Sequence, residues 1–212
     1  MAKTLLILNG VAPSSELLSW RYEEANLVVA VDGGWFPLRE AQLLPNALIG
    51  DFDSVGQIDI IRSQFPEVNL ECLDDPNKTD FEKAIAWLEQ NDESEDLVVL
   101  GGLGKRTDHL LTNLLVSMKI KSKIKVTFDD DHEWIGRVTP SCPLTVSGRK
   151  DATLSIIPLC DCLGVNSIGL NWELEDEHFS PSSQHSQSNF CVSDEVTVSC
   201  TQGVLFVIIP KG

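Results

Sequence analysis

The sequence predicts an α/β domain with a mostly parallel sheet, followed by an all-β sandwich. Two observations predict the first part. Between residues 4 and 128 short apolar runs alternate with amphipathic stretches, and several runs are apolar on both faces, as strands covered by helices must be. A third observation predicts the second part. Beyond residue 128 only short strand-like segments remain, separated by Gly, Pro, Ser or Asp, with no convincing amphipathic helix among them. The expected domains are 1–128 and 129–212.

Taken in order, MAKTLLILNG lacks the long apolar region and small-residue cleavage site of a signal peptide, so TLLIL (4–8) is expected to be the first strand. LVVAV (27–31), ALIG (47–50), VNLECL (68–73), LVVLGG (97–102) and IKVTF (124–128) read as the strands that follow. The intervening helices are expected at 14–25, 36–44, 59–65, 80–90 and 107–120. In the fourth, Phe81, Ala84, Ile85 and Leu88 share one face, and Thr79 with Glu82 forms a capping box. In the fifth, Leu110, Leu111, Leu114, Leu115 and Met118 form the expected buried stripe. In the second half EWIGRVTP, PLTVSG, ATLSIIPL, GVNSIGLNWEL, SNFCVS, EVTVSC and GVLFVIIP read as strands, and the polar stretch 175–188 as a mobile loop.

Thirty-two acidic against 16 basic residues give a net charge of −16. A field of that sign opposes polyanions, so neither nucleic acid nor a membrane surface is expected as a partner, and a phosphate substrate would need a metal to carry positive charge. No apolar run approaches the roughly 20 residues of a membrane span. The six cysteines (72, 142, 160, 162, 191 and 200) lack a paired zinc spacing, and are expected as reduced, mostly buried thiols of a cytoplasmic protein.

The chemistry is expected beyond the carboxyl ends of the strands, where open parallel sheets bind ligands. Asp32, Gly33 and Gly34 follow the second strand, and Asp51, Asp53 and Ser54 the third. Asp74, Asp75, Lys78, Thr79 and Asp80 follow the fourth. Gly101, Gly102, Gly104, Lys105, Arg106, Asp108 and His109 follow the fifth. A single Asp in such a place is most often a turn former or helix cap. Four strand ends delivering acids or glycines to one edge argue instead for a site. Clustered carboxylates without basic neighbours suit a hard cation, Mg²⁺ above all. The glycines allow close approach of backbone N–H groups to phosphate, and Arg106 offers a bidentate fork.

Standard motifs do not fit. GGLGKRT has Arg106 where a P-loop needs Ser or Thr, and Thr107 where a dinucleotide fingerprint needs a third glycine or alanine. No G-x-S-x-G elbow is present, and His109, His132, His178 and His185 show no ligand spacing. His109 and Asn113 lie one helical turn apart on one face, to line the site or to pack.

VDGGW (31–35), LIGDFDSV (48–55), DDPNKTDFEKAI (74–85) and GGLGKRTDH (101–109) resemble, in order and spacing, four blocks of the thiamine pyrophosphokinase (thiamine diphosphokinase) family. GLNWEL (169–174) and SNF (188–190) resemble that family's later blocks, so the likeness spans nearly the whole chain. Lys105 departs from it, standing where the family usually has a small residue. The resemblance implies transfer of the pyrophosphoryl group of ATP to the hydroxyl of thiamine, releasing AMP and using Mg²⁺. It also implies a homodimer with active sites at the subunit interface. By that resemblance Asp51, Asp53 and Asp80 are the metal ligands, with Asp32 and Asp75 nearby, and Arg106 holds the ATP phosphates. Asp108 orients or deprotonates the hydroxyl, and Trp172 stacks on thiamine, helped by Ser188 and Asn189. The alternatives are transfer to another small alcohol, or an inactive nucleotide- or thiamine-binding regulator of the same fold.

Overall fold

The computed structural model describes residues 2–56 and 58–211; Met1, Gln57 and Gly212 lie outside the described residues. The chain divides into two compact units, Met1–Ile120 with Phe128–Asp131, and Lys121–Thr127 with His132–Gly212.

In the first unit the order is β1 (Lys3–Ile7), α1 (Ser15–Glu24), β2 (Leu27–Val31), a 3₁₀ turn (Asp32–Gly34), α2 (Trp35–Glu40), β3 (Ala47–Gly50), α3 (Ile58–Gln64), β4 (Asn69–Cys72), α4 (Asp80–Asn91), β5 (Asp96–Leu100) and α5 (Thr107–Ser117). The strands pair in parallel in the order β5-β1-β2-β3-β4. Leu5, Leu6 and Ile7 of β1 and Val29 and Ala30 of β2 are fully buried, as the two-faced apolar runs require. The chain steps outward from β1 to β4 and then returns to add β5 on the other side of β1. The crevice beyond the ends of β1 and β5 is therefore a topological switch point, where such sheets bind ligands.

The helices follow local signals with two instructive departures. α4 begins at the expected capping box, in which Thr79 Oγ1 accepts from Glu82 N at 3.2 Å and Glu82 Oε2 accepts from Thr79 N at 3.1 Å. It buries Phe81, Ala84 and Leu88, leaves Ile85 half-buried, and buries Lys83 as well. In α5 the expected leucine stripe is only partly buried: Leu114 is covered, but Leu111 and Leu115 are 46% and 50% exposed. Asn113 faces inward, donating from Nδ2 to Gly102 O at 2.8 Å, on the side of the helix that also buries Leu114, Val116 and Ser117. Leu111 and Leu115 lie two residues to either side of Asn113, about 200° around the helix, and so face outward.

β6 (Lys125–Asp129) falls across the division between the units. Its last residue holds α1: Arg21 Nε and Nη2 both donate to Asp129 Oδ2, at 2.8 and 2.6 Å. The second unit contains β7 (Glu133–Val138), β8 (Leu144–Val146), β9 (Thr153–Pro158), β10 (Cys162–Ile168), β11 (Glu177–Phe179), β12 (Ser186–Phe190), β13 (Val196–Ser199) and β14 (Leu205–Pro210). They form two antiparallel layers, β12-β9-β14-β7 and β11-β10-β13-β8. Leu154, Ile156, Val207 and Ile209 of the first meet Leu144, Val165, Phe179 and Val198 of the second in one core, the expected sandwich.

One expectation is corrected here. The stretch 175–188 is not simply a loop, because it supplies β11 and the start of β12. Its single fully buried apolar anchor, Phe179, sits opposite Cys162 of β10, and one such residue leaves no periodic pattern to read.

Candidate active site

At the end of β3 the sequence GDFD folds back on itself around the carboxylate of Asp32. Gly50 has φ +140°, and a Cβ there would lie 2.1 Å from Asp32 Oδ1, so only glycine lets that carboxylate cover the strand end. Phe52, at φ 65°, donates its N–H to Asp32 Oδ1 at 3.0 Å. Asp53 N donates to Asp51 Oδ1 at 3.1 Å, and Ser54 Oγ to Asp53 Oδ1 at 2.9 Å. Asp32, Asp51 and Asp53 thereby each place one carboxylate oxygen within 4.8 Å of the others. Asp32 is 3% exposed; burial, with the charges of Asp80, Asp51 and Asp53, pushes its pKa up to about 6. An all-oxygen donor set under this repulsion fits a hard divalent cation such as Mg²⁺.

The acids are not without a basic neighbour, as the sequence suggested. Lys83, 8% exposed on α4, places Nζ 3.1 Å from Asp80 Oδ1 and 3.8 Å from Asp51 Oδ2. Burial works against its charge, yet the hydrogen bond to Asp80 and the fields of Asp80, Asp51 and Asp32 hold its pKa above the ordinary lysine value. Asp80 thus joins the trio through Lys83. Asp75 accepts from Asn77 N at 3.0 Å and lies 3.4 Å from Lys78 Nζ.

A cleft of about 530 Å³ opens at the switch point. Its walls come from the loop after β1 (Leu8, Asn9, Gly10), from Lys78, Thr79 and Asp80, and from the loop after β5 with the start of α5 (Gly101, Gly102, Gly104, Lys105, Arg106, Asp108, His109, Thr112, Asn113). Gly10 and Gly101 bring two of these loops into contact, since a Cβ on Gly10 would lie 2.0 Å from Gly101 O. Sequence reasoning missed Asn9 and Gly10, although they follow a strand just as the other site residues do. Gly33 and Gly34 lie in the buried turn after β2, with Gly33 packed over the side chain of Asn9. Arg106 and Asp108 grip each other, Nε to Oδ1 at 3.1 Å and Nη2 to Oδ2 at 2.5 Å. That guanidinium holds the Asp108 carboxyl below the ordinary carboxylate range.

The second unit offers a different surface. Trp172 is 63% exposed in the loop between β10 and β11, so it is not a core residue of the sandwich. Asn189, 1% exposed, holds that loop: its Oδ1 accepts from Trp172 N at 3.2 Å and from Phe190 N at 2.8 Å, and its Nδ2 donates to Trp172 O at 2.8 Å. Glu173 closes the turn, with Oε1 accepting from Gly169 N and Leu170 N and Oε2 from Ser167 Oγ. Ser188, at φ 57°, sits in the irregular register between β12 and β9 and donates its N–H to Ser155 Oγ at 3.0 Å.

Chemistry on phosphates needs cations to hold the anion and carboxylates to hold a metal, and the first unit brings both to one sheet edge. The class of protein such a site suits is one that acts on phosphate-bearing groups. Comparison with known proteins makes it particular. Residues 19–128 match the model of the thiamin pyrophosphokinase catalytic domain, and residues 142–205 that of the thiamin pyrophosphokinase vitamin B1 binding domain. The chain is 25% identical to the thiamine pyrophosphokinase of Bacillus subtilis over 88% of both chains. It is 29% identical to thiamin pyrophosphokinase 1 of Caenorhabditis elegans over 88% of this chain and 80% of that one. Its fold is that of the crystal structures of the Bacillus subtilis and Geobacillus thermodenitrificans enzymes. Their TM-scores are 0.81 and 0.82, at 24% and 23% identity, covering 99% of this chain and 99% and 98% of theirs. The chain belongs to the thiamine pyrophosphokinase family, whose members are ATP-dependent diphosphotransferases.

Proposed function

We propose that the protein transfers the pyrophosphoryl group of ATP to thiamine, and that Asp51, Asp53 and Asp80, with Asp32 beside them, hold Mg²⁺ for this reaction. The family supports the reaction and does not favour another small alcohol or an inactive regulator. The observation that carries the site assignment is the convergence of Asp32, Asp51 and Asp53 at the strand ends, tied through Lys83 to Asp80 on the cleft wall.

ATP phosphates enter the switch-point cleft, where Arg106 and the N–H groups of the 101–104 loop receive them, while Lys78 and Thr79 border the opposite wall. Mg²⁺ held by Asp51, Asp53 and Asp80 would offset the charge of the transferring phosphates. The hydroxyl oxygen of thiamine releases its proton to water and bonds to the β-phosphorus, the bond from that phosphorus to the oxygen of the α-phosphate breaks, and AMP leaves with that oxygen. Asp108, kept ionised by Arg106, accepts the hydrogen bond of the hydroxyl and orients it. Phosphoryl-type transfer depends mostly on positioning and charge stabilisation, which these groups supply.

Trp172 presents a flat face to the thiamine ring system, a cation suited to an aromatic surface on an acidic protein. Ser188 lies exposed one residue before Asn189, with its hydroxyl available to the ligand, while Asn189 acts by holding the Trp172 loop. The second unit also exposes Ile168, Phe190 and Val192, apolar surface in keeping with a homodimer whose active sites lie at the subunit interface. No described helix is long and apolar enough to cross a membrane, and six free cysteines are in keeping with a cytoplasmic protein.

The test is to incubate the protein with ATP, Mg²⁺ and thiamine. Thiamine diphosphate and AMP are expected; ADP with thiamine monophosphate would overturn the pyrophosphoryl assignment.

A further inference from the structure

Lys78, Lys105 and Arg106 border the cleft as its cations. Two of them are already engaged by carboxylates. Lys78 Nζ lies 3.4 Å from Asp75 Oδ2, and Arg106 holds Asp108 with two hydrogen bonds. Lys105 has no carboxylate partner among the described residues; its ammonium reaches the main-chain carbonyl of Asn9 at a long 3.5 Å. An incoming phosphate would have to compete with an ion pair for Lys78 or Arg106, whereas it meets Lys105 unopposed.

The backbone gives a second, independent observation. Lys105 has φ 54°, directly after Gly104 at φ 74°, so a lysine occupies a left-handed position that glycine would fill without strain. A strained residue on the wall of a binding cleft points to a role for its side chain there. Against a net charge of −16 over the whole chain, such a local cation also counters the field that repels polyanions.

We propose that Lys105 is a phosphate-binding residue of this cleft, its ammonium holding the polyphosphate tail of the nucleotide. This rests on reading the cleft as the ATP site and adds to it a cation that Arg106 and the glycine loop do not supply. It also assigns a function to the lysine by which this chain departs from the small residue usual in its family.

The experiment titrates full-length protein with inorganic tripolyphosphate, with a non-hydrolysable ATP analogue and with thiamine, all in Mg²⁺. It compares the unsubstituted chain with Lys105→Gln, Lys105→Gly and Lys105→Arg. Loss of one partly exposed charged contact is expected to weaken both polyphosphates about three- to tenfold in the Gln and Gly variants, and less in Arg. The difference should narrow as salt rises. Thiamine affinity should not change, and the Gly variant should unfold at a temperature no lower than the original, because its strain is relieved. Unchanged polyphosphate affinity in Lys105→Gln would overturn the proposal. So would a loss in Lys105→Gly accompanied by weaker thiamine binding and a lower unfolding temperature, which would mark a structural role. If the unsubstituted chain binds neither polyphosphate, the reading of the cleft as the ATP site fails, and this assignment with it.

Discussion

The acid-bearing strand ends of the first unit and the tryptophan loop of the second are both built from turns, yet they are held in opposite ways. Around GDFD the backbone takes positive φ at Asp32, Gly50 and Phe52, and three carboxylates crowd within 4.8 Å. Around Trp172 the turn is pinned by neutral hydrogen bonds to Asn189 and by Glu173 accepting from Gly169 and Leu170. In the first region the crowded carboxylates work against the stability of the fold. In the second the groups beneath the exposed indole are the stability of the loop. The first region stores charge as repulsion, whereas the second gives its exposed ring rigid support.

The largest effect expected from this difference is on turnover. Asp53 is exposed, and its side chain accepts a hydrogen bond from its neighbour Ser54. Asp53→Asn should therefore leave the fold intact by circular dichroism while lowering kcat about 100-fold or more, since it removes a carboxylate from the proposed metal set. Full activity with the Asn would remove Asp53 from that set.

Much of this contrast is legible in the sequence alone. Asp32, Asp51, Asp53 and Asp80 all stand directly after apolar strand-like runs or at a helix cap, and strand ends of a parallel sheet are where ligands gather. The cap at Thr79 was readable because capping is local chemistry between residues three apart. Lys83 was not: its position on α4 is plain, but its burial between Asp80 and Asp51 depends on how the helix meets the end of β3. Asn9 and Gly10 obey the same strand-end rule as the acids and carry no charge to draw attention. The outward turn of Leu111 and Leu115 goes with an inward-facing Asn113 bonded to Gly102, a polar contact that no apolar pattern encodes. The role of Asn189 under Trp172 was hidden for a similar reason, since the two are 17 residues apart and meet across the sandwich.

Asn189 gives the next largest effect and tests the second region. Asn189→Ala strips partners from Trp172 N, Trp172 O and Phe190 N at a buried position, and should lower stability by about 2–3 kcal/mol. With the indole no longer held, the KM for thiamine should rise about tenfold while that for ATP stays near its original value. Equal rises in both would mean that the loss is general unfolding rather than a misplaced tryptophan.

Lys83 tests whether repulsion in the first region is partly balanced from within. Lys83→Met keeps the buried stem and removes the charge that faces Asp80 and Asp51. Those partners are 54% and 39% exposed, so the loss in metal-free protein should be about 1–2 kcal/mol rather than the full cost of breaking a buried pair. Added Mg²⁺ should recover more of the unfolding temperature in the variant than in the original chain. Identical losses with and without Mg²⁺ would reduce Lys83 to packing.

The effect expected at Asp32 is no larger than that at Lys83, and it has the opposite sign. Burial and neighbouring acids raise its pKa to about 6, so the native state binds this proton more readily than the unfolded chain does. The ionised carboxylate therefore lowers stability above about pH 6, and the penalty fades as pH falls from there toward the ordinary carboxylate range. Asp32→Asn retains an oxygen that can accept from Phe52 N, so in metal-free protein at pH 7.5 it should stabilise the fold by about 1–2 kcal/mol. That gain should shrink on acidification and be reversed by Mg²⁺, which stabilises only the chain that keeps the carboxylate. Chemical denaturation across pH, with and without Mg²⁺, separates the two contributions. If the variant is less stable at pH 7.5 without metal, the charge on Asp32 strengthens the Phe52 hydrogen bond by more than its burial costs, and the strand end is held by its acids rather than strained by them.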